Sequence, residues 1–203
     1  MAHAAAVAPA TALDLGCGWG ELLLRVCEAT GAAGTGVDEE GDGLARGRDL
    51  AAERGLADRV AFVADDCTGW QGTADVVLCV ASSHAWGGHR PMLDALAGHV
   101  SPRGRVLVGD GYFAAPASDA LREWFGDLPS LADLCDAAGE RFAVLHHSTS
   151  TLDEWDDFES RWRAGLETSD DPEALALAAE RRREYLDGYR GIAGMAWLVL
   201  RPR

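Results

Sequence analysis

Three alternate glycines, Gly16, Gly18 and Gly20, stand in the run Leu13-Asp-Leu-Gly-Cys-Gly-Trp-Gly-Glu21. Glycine tolerates positive φ and carries no Cβ, so such a run leaves bare main chain on which a ligand can lie. One glycine suffices for a tight turn; three in five residues exceed that need. The dinucleotide fingerprint, GxGxxG, sets a pyrophosphate on a helix N-terminus. Here the spacing is GxGxG, with Asp14 two residues ahead of it and Glu21 behind. Acids are poor company for a diphosphate and suit a ligand that carries positive charge, such as an ammonium and a sulfonium. A nicotinamide-dependent oxidoreductase is the alternative enzyme: Asp38 would fit its ribose, but the glycine spacing and Asp14 do not.

Other chemistry is easier to exclude. No Lys occurs in the chain, which removes Schiff-base and Lys-nucleophile mechanisms. The five cysteines, at 17, 27, 67, 79 and 135, form no CxxC pair and are odd in number. A disulfide framework and a structural zinc site are therefore not expected. His146 and His147 are strand neighbours that point to opposite faces, so they cannot chelate one metal together, and no metal site is expected.

These residues need elements to hold them. Residues 11–15 read as a buried strand running into the glycines, and 21–30 as a helix with Leu22, Leu23, Val26 and Cys27 on one face. Strands follow at 34–38, 60–64, 74–80 and 104–109, with helices at 43–54 and 89–100 between them; Pro102-Arg-Gly104 marks a turn. The run 74–80 is apolar on both faces, as a central parallel strand should be. Strand–helix alternation gives an α/β, Rossmann-like, doubly wound parallel sheet with helices on both faces. Further on, 118–125 and 130–138 read as helices, 141–147 as a strand, 151–190 as a helical stretch opened by a Thr151…Glu154 capping box, and 194–200 as a last strand. No repeat or low-complexity linker divides the chain, so 1–203 is read as a single domain.

In this setting residues 14–20 resemble motif I of the class I S-adenosylmethionine-dependent methyltransferases, small-molecule type, and the later signposts fall in the matching order over 11–147 and the last strand. The resemblance implies a seven-stranded sheet, mostly parallel with its final strand antiparallel, and a helical insertion between strands six and seven. It implies S-adenosylmethionine as cofactor and S-adenosylhomocysteine as product. It places Asp14, Gly16, Cys17, Gly18, Trp19 and Gly20 around the cofactor, Asp38 and Glu39 at the ribose, Asp65, Asp66 and Cys67 at the adenine, and Val80 at the end of strand four. Register favours Asp66 over Asp65 for the adenine amino group; either acid could instead cap the next turn. Asp14 acts indirectly in the family, orienting loop N–H groups or a water near the methionine ammonium. Trp19 either lines the pocket or packs at the helix start. Cys17 is there for its small size, since nothing cationic nearby in sequence would lower its pKa.

Methyl transfer is an in-line displacement that mainly needs an acceptor held at about 3–3.5 Å, opposite the leaving sulfur. A base is needed only where the nucleophile must lose a proton. The run 80–88 is the expected acceptor face, with Ser83, His84 and Trp86. An imidazole, with an ordinary pKa of about 6.5, suits a general base; the plainer reading of His84 is a cap or loop residue. Trp86 would wall the acceptor or shield the sulfonium by cation–π contact, or simply pack. Tyr112 and Phe113 line the acceptor cavity or the core. Trp155, Phe158 and Trp162 fall on one face of a helix, read first as a packing face and, within the insertion 151–190, as the lining of a lid.

Composition bounds the partners. The chain of 203 residues has 18 basic and 33 acidic side chains, a formal charge of −15, which disfavours nucleic acid. No apolar stretch approaches the roughly 20 residues that a bilayer span needs. Met1 to Ala10 lack the basic start and apolar centre of a secretory signal, so a cytoplasmic protein acting on a small-molecule acceptor is expected. Only about ten Ala-rich residues precede strand one, where the family usually has helices. The inserted helices, a partner chain such as a second copy in a homodimer, or a longer natural N-terminus would then cover the cofactor. A non-catalytic cofactor-binding scaffold is the alternative outside enzymes.

Overall fold

In a computed structural model that describes residues 9–203, seven strands form one sheet in the order β3-β2-β1-β4-β5-β7-β6. They are β1 (Thr11–Leu15), β2 (Ala33–Asp38), β3 (Val60–Ala64), β4 (Ala74–Val80), β5 (Val100–Phe113), β6 (Phe142–Thr149) and β7 (Ala193–Pro202). The first five pair in parallel, and antiparallel pairing enters near the C-terminus, as expected. The order reverses at β1, which lies between β2 and β4. Ligands of open α/β sheets bind at such a switch point, beyond the carboxyl ends of the strands. Residues 1–8, on which most of the secretory-signal reading rests, lie outside the described residues.

The chain separates into two compact units. The first holds the described residues up to Asp110, with Leu134–Ser148 and Trp197–Arg203. Its helices α1 (Glu21–Thr30), α2 (Gly41–Glu53) and α3 (His89–His99) connect the parallel strands. Leu23, Leu24, Val26 and Cys27 of α1 are buried with Leu44 and Ala51 of α2, Phe62 of β3, and Val76 and Leu78 of β4. The expected turn at Pro102–Gly104 is not formed: β5 runs unbroken from Val100, and the extra residues are taken up as a bulge, the pairing with β4 shifting register between Ala74↔Val100 and Val76↔Arg105.

The second unit joins Gly111–Asp133 to Thr149–Ala196. It carries α4 (Asp119–Phe125), the start of α5 (Leu131–Gly139), α6 (Leu152–Glu167), α7 (Pro172–Arg183) and a π-helical turn at Glu184–Tyr189. The Thr151/Glu154 capping box is present. The stretch 151–190 is broken at 168–171, where Asp171 caps α7 and Pro172 occupies its first turn. Phe113, Leu121, Tyr185 and Tyr189 form this unit's core.

The inward face of α6 differs from the expected aromatic stripe. Phe158 and Trp162 are about half exposed, whereas Glu159 and Arg163 are buried. Polar partners decide this: Tyr189 donates to Glu159 at 2.6 Å, Arg163 pairs with Glu159 at 3.3 Å, and Tyr185 donates to Asp156 at 2.6 Å. Hydroxyls from the π turn thus select the 155/159/163 face over 155/158/162.

Gly20 is a tight joint beneath the glycine loop. It caps α1 at φ +70°, and a Cβ there would lie 2.3 Å from Cε1 of Phe62. Gly20→Ala should therefore lower unfolding free energy by about 2–4 kcal/mol, combining left-handed strain with overpacking. Urea denaturation measures this; a loss below about 1 kcal/mol would mean that Phe62 gives way freely.

Candidate functional site

The glycine loop is tied down before it can present anything. The N–H groups of Gly16 and Cys17 both donate to the Val37 carbonyl, at 2.9 and 3.1 Å, and Gly20 N–H donates to the Cys17 carbonyl at 2.8 Å. Gly18 N–H donates to Oδ2 of Asp38 at 2.7 Å, and Glu40 N–H to Oδ1 at 2.9 Å. The Asp38 carboxylate is thereby fixed at the end of β2, and each oxygen keeps accepting capacity. A Cβ on Gly18 would meet no atom within 4 Å, so the loop faces open space there.

Beside the loop lies a cavity of about 330 Å³ lined by Gly16, Asp38, Glu39, Asp66, Cys67, Thr68, Ser82, His84 and Ala85. It falls at the lower end of the size range of small-molecule pockets. Six residues singled out in the sequence thus meet in one wall: Gly16, Asp38, Glu39, Asp66, Cys67 and His84. Of the two acids after β3, Asp66 faces the cavity. Asp65 bends the chain just past the end of β3, its N–H donating to the Asp38 carbonyl and its carboxylate accepting from Asp66 N–H. Asp66 also accepts from the N–H and hydroxyl of Thr68, both at 2.7 Å, which holds its carboxyl below the ordinary range. Asp66 thus both caps the turn that follows it and lines the cavity.

Other expected residues sit around the cavity rather than in its wall. Trp19 is 45% exposed and stacks under the Arg46 guanidinium at 4.6 Å. Cys17 packs against the core of the first unit, and burial pushes its thiol well up, as the small-residue reading requires. Val80 ends β4 and accepts from the Ser82 hydroxyl at 2.9 Å. Ser83 is buried, its N–H donating to Asp110 at 3.1 Å, and Asp110 also lies 3.8 Å from Nε2 of His89. Asp110 thereby anchors the short 3₁₀ turn Ser83–Trp86 that carries His84. Trp86 is half-buried, with its indole N–H unpartnered among the described residues. Tyr112 and Trp155 meet elsewhere, in a cavity of about 180 Å³ within the second unit.

Thr68, Ser82 and Ala85 were not singled out in the sequence. Ser82 is the most consequential of them. Its hydroxyl lies 3.2 Å from the Gly16 carbonyl, and a Cβ on Gly16 would collide with it at 2.2 Å. It reaches that place because Ala81 turns the chain at φ +56°, a left-handed conformation that an alanine does not advertise.

Beneath the loop, Asp14 is 3% exposed and accepts no hydrogen bond among the described residues. Burial pushes its carboxyl up to about 7, with the Asp38 charge adding to the effect. The folded protein holds this proton where the unfolded chain has lost it. Stability falls as pH rises from about 4 to about 7, and the cost persists above that. Asp14→Asn removes the titration. Its stability relative to the parent should be smallest near pH 4 and rise to a plateau above pH 7, by on the order of 3 kcal/mol. Thermal unfolding at pH 4, 6 and 8 checks this; a pH-independent difference would contradict it.

Comparison with known proteins follows this geometry. Residues 12–104 match a methyltransferase-domain family model. The chain is 30% identical over 187 residues to the uncharacterised protein YjhP of Escherichia coli K12, covering 85% of this chain and 73% of that one. The X-ray structure of YjhP superposes with a TM-score of 0.80 at 26% identity, covering 96% of this chain and 86% of that one. A SAM-dependent methyltransferase from Geobacter sulfurreducens, solved in complex with S-adenosyl-L-homocysteine, superposes with a TM-score of 0.79 at 28% identity, over 96% and 85% of the two chains. With the sheet order and the open glycine loop pointing the same way, the chain belongs to the class I S-adenosylmethionine-dependent methyltransferases.

Proposed function

We propose that this methyltransferase moves a methyl group by in-line displacement to a small-molecule acceptor. The observation that carries the reading is the presence of His84 in the same wall as Gly16, Asp38 and Asp66. S-adenosylmethionine, when bound, supplies an activated methyl on a positively charged sulfur. Asp38, oriented by two backbone N–H groups, accepts from the ribose hydroxyls, with Glu39 beside it. Asp66 and the Cys67 backbone read the adenine. Gly16, Gly18 and Gly20 shape the floor, Asp14 lies under it, and Cys17, Trp19, Asp65 and Val80 hold its surroundings. The Asp110 anchor keeps the Ser83–Trp86 turn in place, so His84 can take a proton from an O–H or N–H acceptor. Ser83 and Trp86 support that face, and Tyr112 and Trp155 form the second unit's small cavity.

The acidic balance supports a small acceptor over nucleic acid. Among the described residues no helix is long and apolar enough to cross a membrane, and no cluster suits a metal. All five cysteines are free thiols, which supports a reducing, cytoplasmic setting.

The direct test is transfer of a labelled methyl group from S-adenosylmethionine to a metabolite panel, read by mass spectrometry. One small acceptor should become a methyl heavier, while tRNA and denatured protein stay unlabelled; label in either macromolecule instead would overturn the acceptor class. Asp38→Ala should weaken S-adenosylhomocysteine binding by about 1–3 kcal/mol through lost charge-assisted hydrogen bonds. Unchanged affinity by calorimetry would remove Asp38 from the ribose site. His84→Ala should lower turnover and flatten the acidic limb of its pH profile while cofactor affinity holds. An unaltered profile would return His84 to a structural role.

A further inference from the structure

The parallel pairing of β1 with β4 ends at Asp14↔Leu78. Just beyond that rung the Ser82 hydroxyl connects the two strand ends, 2.9 Å from the Val80 carbonyl and 3.2 Å from the Gly16 carbonyl. Ser82 is 7% exposed and lines the cavity. It stands at the N-cap of the Ser83–Trp86 turn, where a serine hydroxyl ordinarily accepts from a backbone N–H of the turn it opens. Among the described residues this hydroxyl makes no such bond. It donates to carbonyls instead.

Two features show that the placement is built. Ala81 is held at φ +56°, with its N–H donating to the Gly109 carbonyl at 2.7 Å. A residue other than glycine stays in that region only where its surroundings enforce it, and such strain gathers at functional sites. Gly16 must also lack a side chain, because a Cβ there would lie 2.2 Å from Oγ and 2.6 Å from Cβ of Ser82. A local cap on the turn needs neither.

We propose that Ser82 is a positioning residue that couples the cofactor half of the site to the acceptor half. This rests on the reading of the cavity as an adenosyl site with His84 on its acceptor side. The main chain of Ser82 belongs to the turn that carries His84: its carbonyl accepts from Ala85 N–H at 3.1 Å, the Ser83 carbonyl accepts from Gly88 N–H at 2.9 Å, and Ser83 N–H donates to Asp110 at 3.1 Å. The hydroxyl belongs to the glycine loop. A ligand that settles against Gly16 fixes that peptide, and the hydroxyl passes the restraint to the turn, which narrows the positions open to His84. Without the hydroxyl, the loop keeps its hydrogen bonds to Val37 and Asp38 and still takes the cofactor. His84 then loses its reference to Gly16, and a displacement of about 1 Å at a reacting group costs on the order of 10²-fold in rate.

Hydrogen–deuterium exchange read by mass spectrometry tests this on the full chain, with S-adenosylhomocysteine as the probe and calorimetry beside it. In the parent the ligand should slow exchange of the amides of residues 83–88 about tenfold. Ser82→Ala should hold S-adenosylhomocysteine affinity within about threefold and lose most of that slowing. In the labelled-methyl assay over the metabolite panel, the same variant should turn over about tenfold more slowly, with the KM for S-adenosylmethionine within about threefold. A serine that only stabilises the fold would move the unfolding midpoint and leave the ligand-dependent slowing intact. Slowing that persists in Ser82→Ala therefore overturns the coupling. So does a larger loss of affinity in that variant, which would make Ser82 part of the cofactor cradle. Binding to the parent with no slowing at 83–88 overturns the coupling without any variant and leaves the adenosyl site in place. Failure of the parent to bind S-adenosylhomocysteine overturns the adenosyl reading, and the coupling with it.

Discussion

The Val37 carbonyl and the Asp38 carboxylate together take three N–H groups from the glycine loop, those of Gly16, Cys17 and Gly18. The rest of the site depends on this clamp between the first loop and the end of the second strand. Buried N–H groups left unpaired would cost about 1–3 kcal/mol each, so the loop has strong reason to stay against β2. Only glycine permits the approach on its other sides, where Ser82 crowds Gly16 and Phe62 crowds Gly20. Gly18 alone of the three faces empty space. Two glycines build the cradle, and the third leaves it bare.

From the clamp the remaining geometry follows. Asp38 is aimed by the loop it helps to hold. Asp66 comes into the wall past the bend at Asp65, whose N–H is held by the Asp38 carbonyl and whose carboxylate takes the Asp66 N–H. On the opposite side, Ser82 bridges toward Gly16, and Asp110 fixes Ser83, which sets the turn that offers His84. A chain of short polar contacts thus connects the ends of β1, β2, β4 and β5 around one small, acid-rimmed hollow.

Much of this was legible in the sequence because it is written in local signals. Apolar runs of strand length, helix periodicity and alternate glycines placed β1 through β4 and the cofactor loop, and the capping box at Thr151 was readable from two residues. What stayed hidden depends on tertiary contact. Nothing about an alanine announces the left-handed turn at Ala81 that delivers Ser82. The inward face of α6 was set by hydroxyls some 30 residues away in sequence, on Tyr185 and Tyr189, which no helical periodicity contains. The joining of Gly111–Asp133 with Thr149–Ala196 into one unit was likewise invisible to a segment-by-segment reading. Nor does local sequence show that the Arg46 guanidinium lies over the Trp19 ring.

The central claim, that bare main chain after β1 forms an adenosyl cradle, is tested most directly by a crystal structure grown with S-adenosylhomocysteine. The account predicts ligand density over Gly16 and Gly18, with the ribose against Asp38 and the adenine beside Asp66. Density at another place, or a loop closed over by side chains with the ligand excluded, would contradict it.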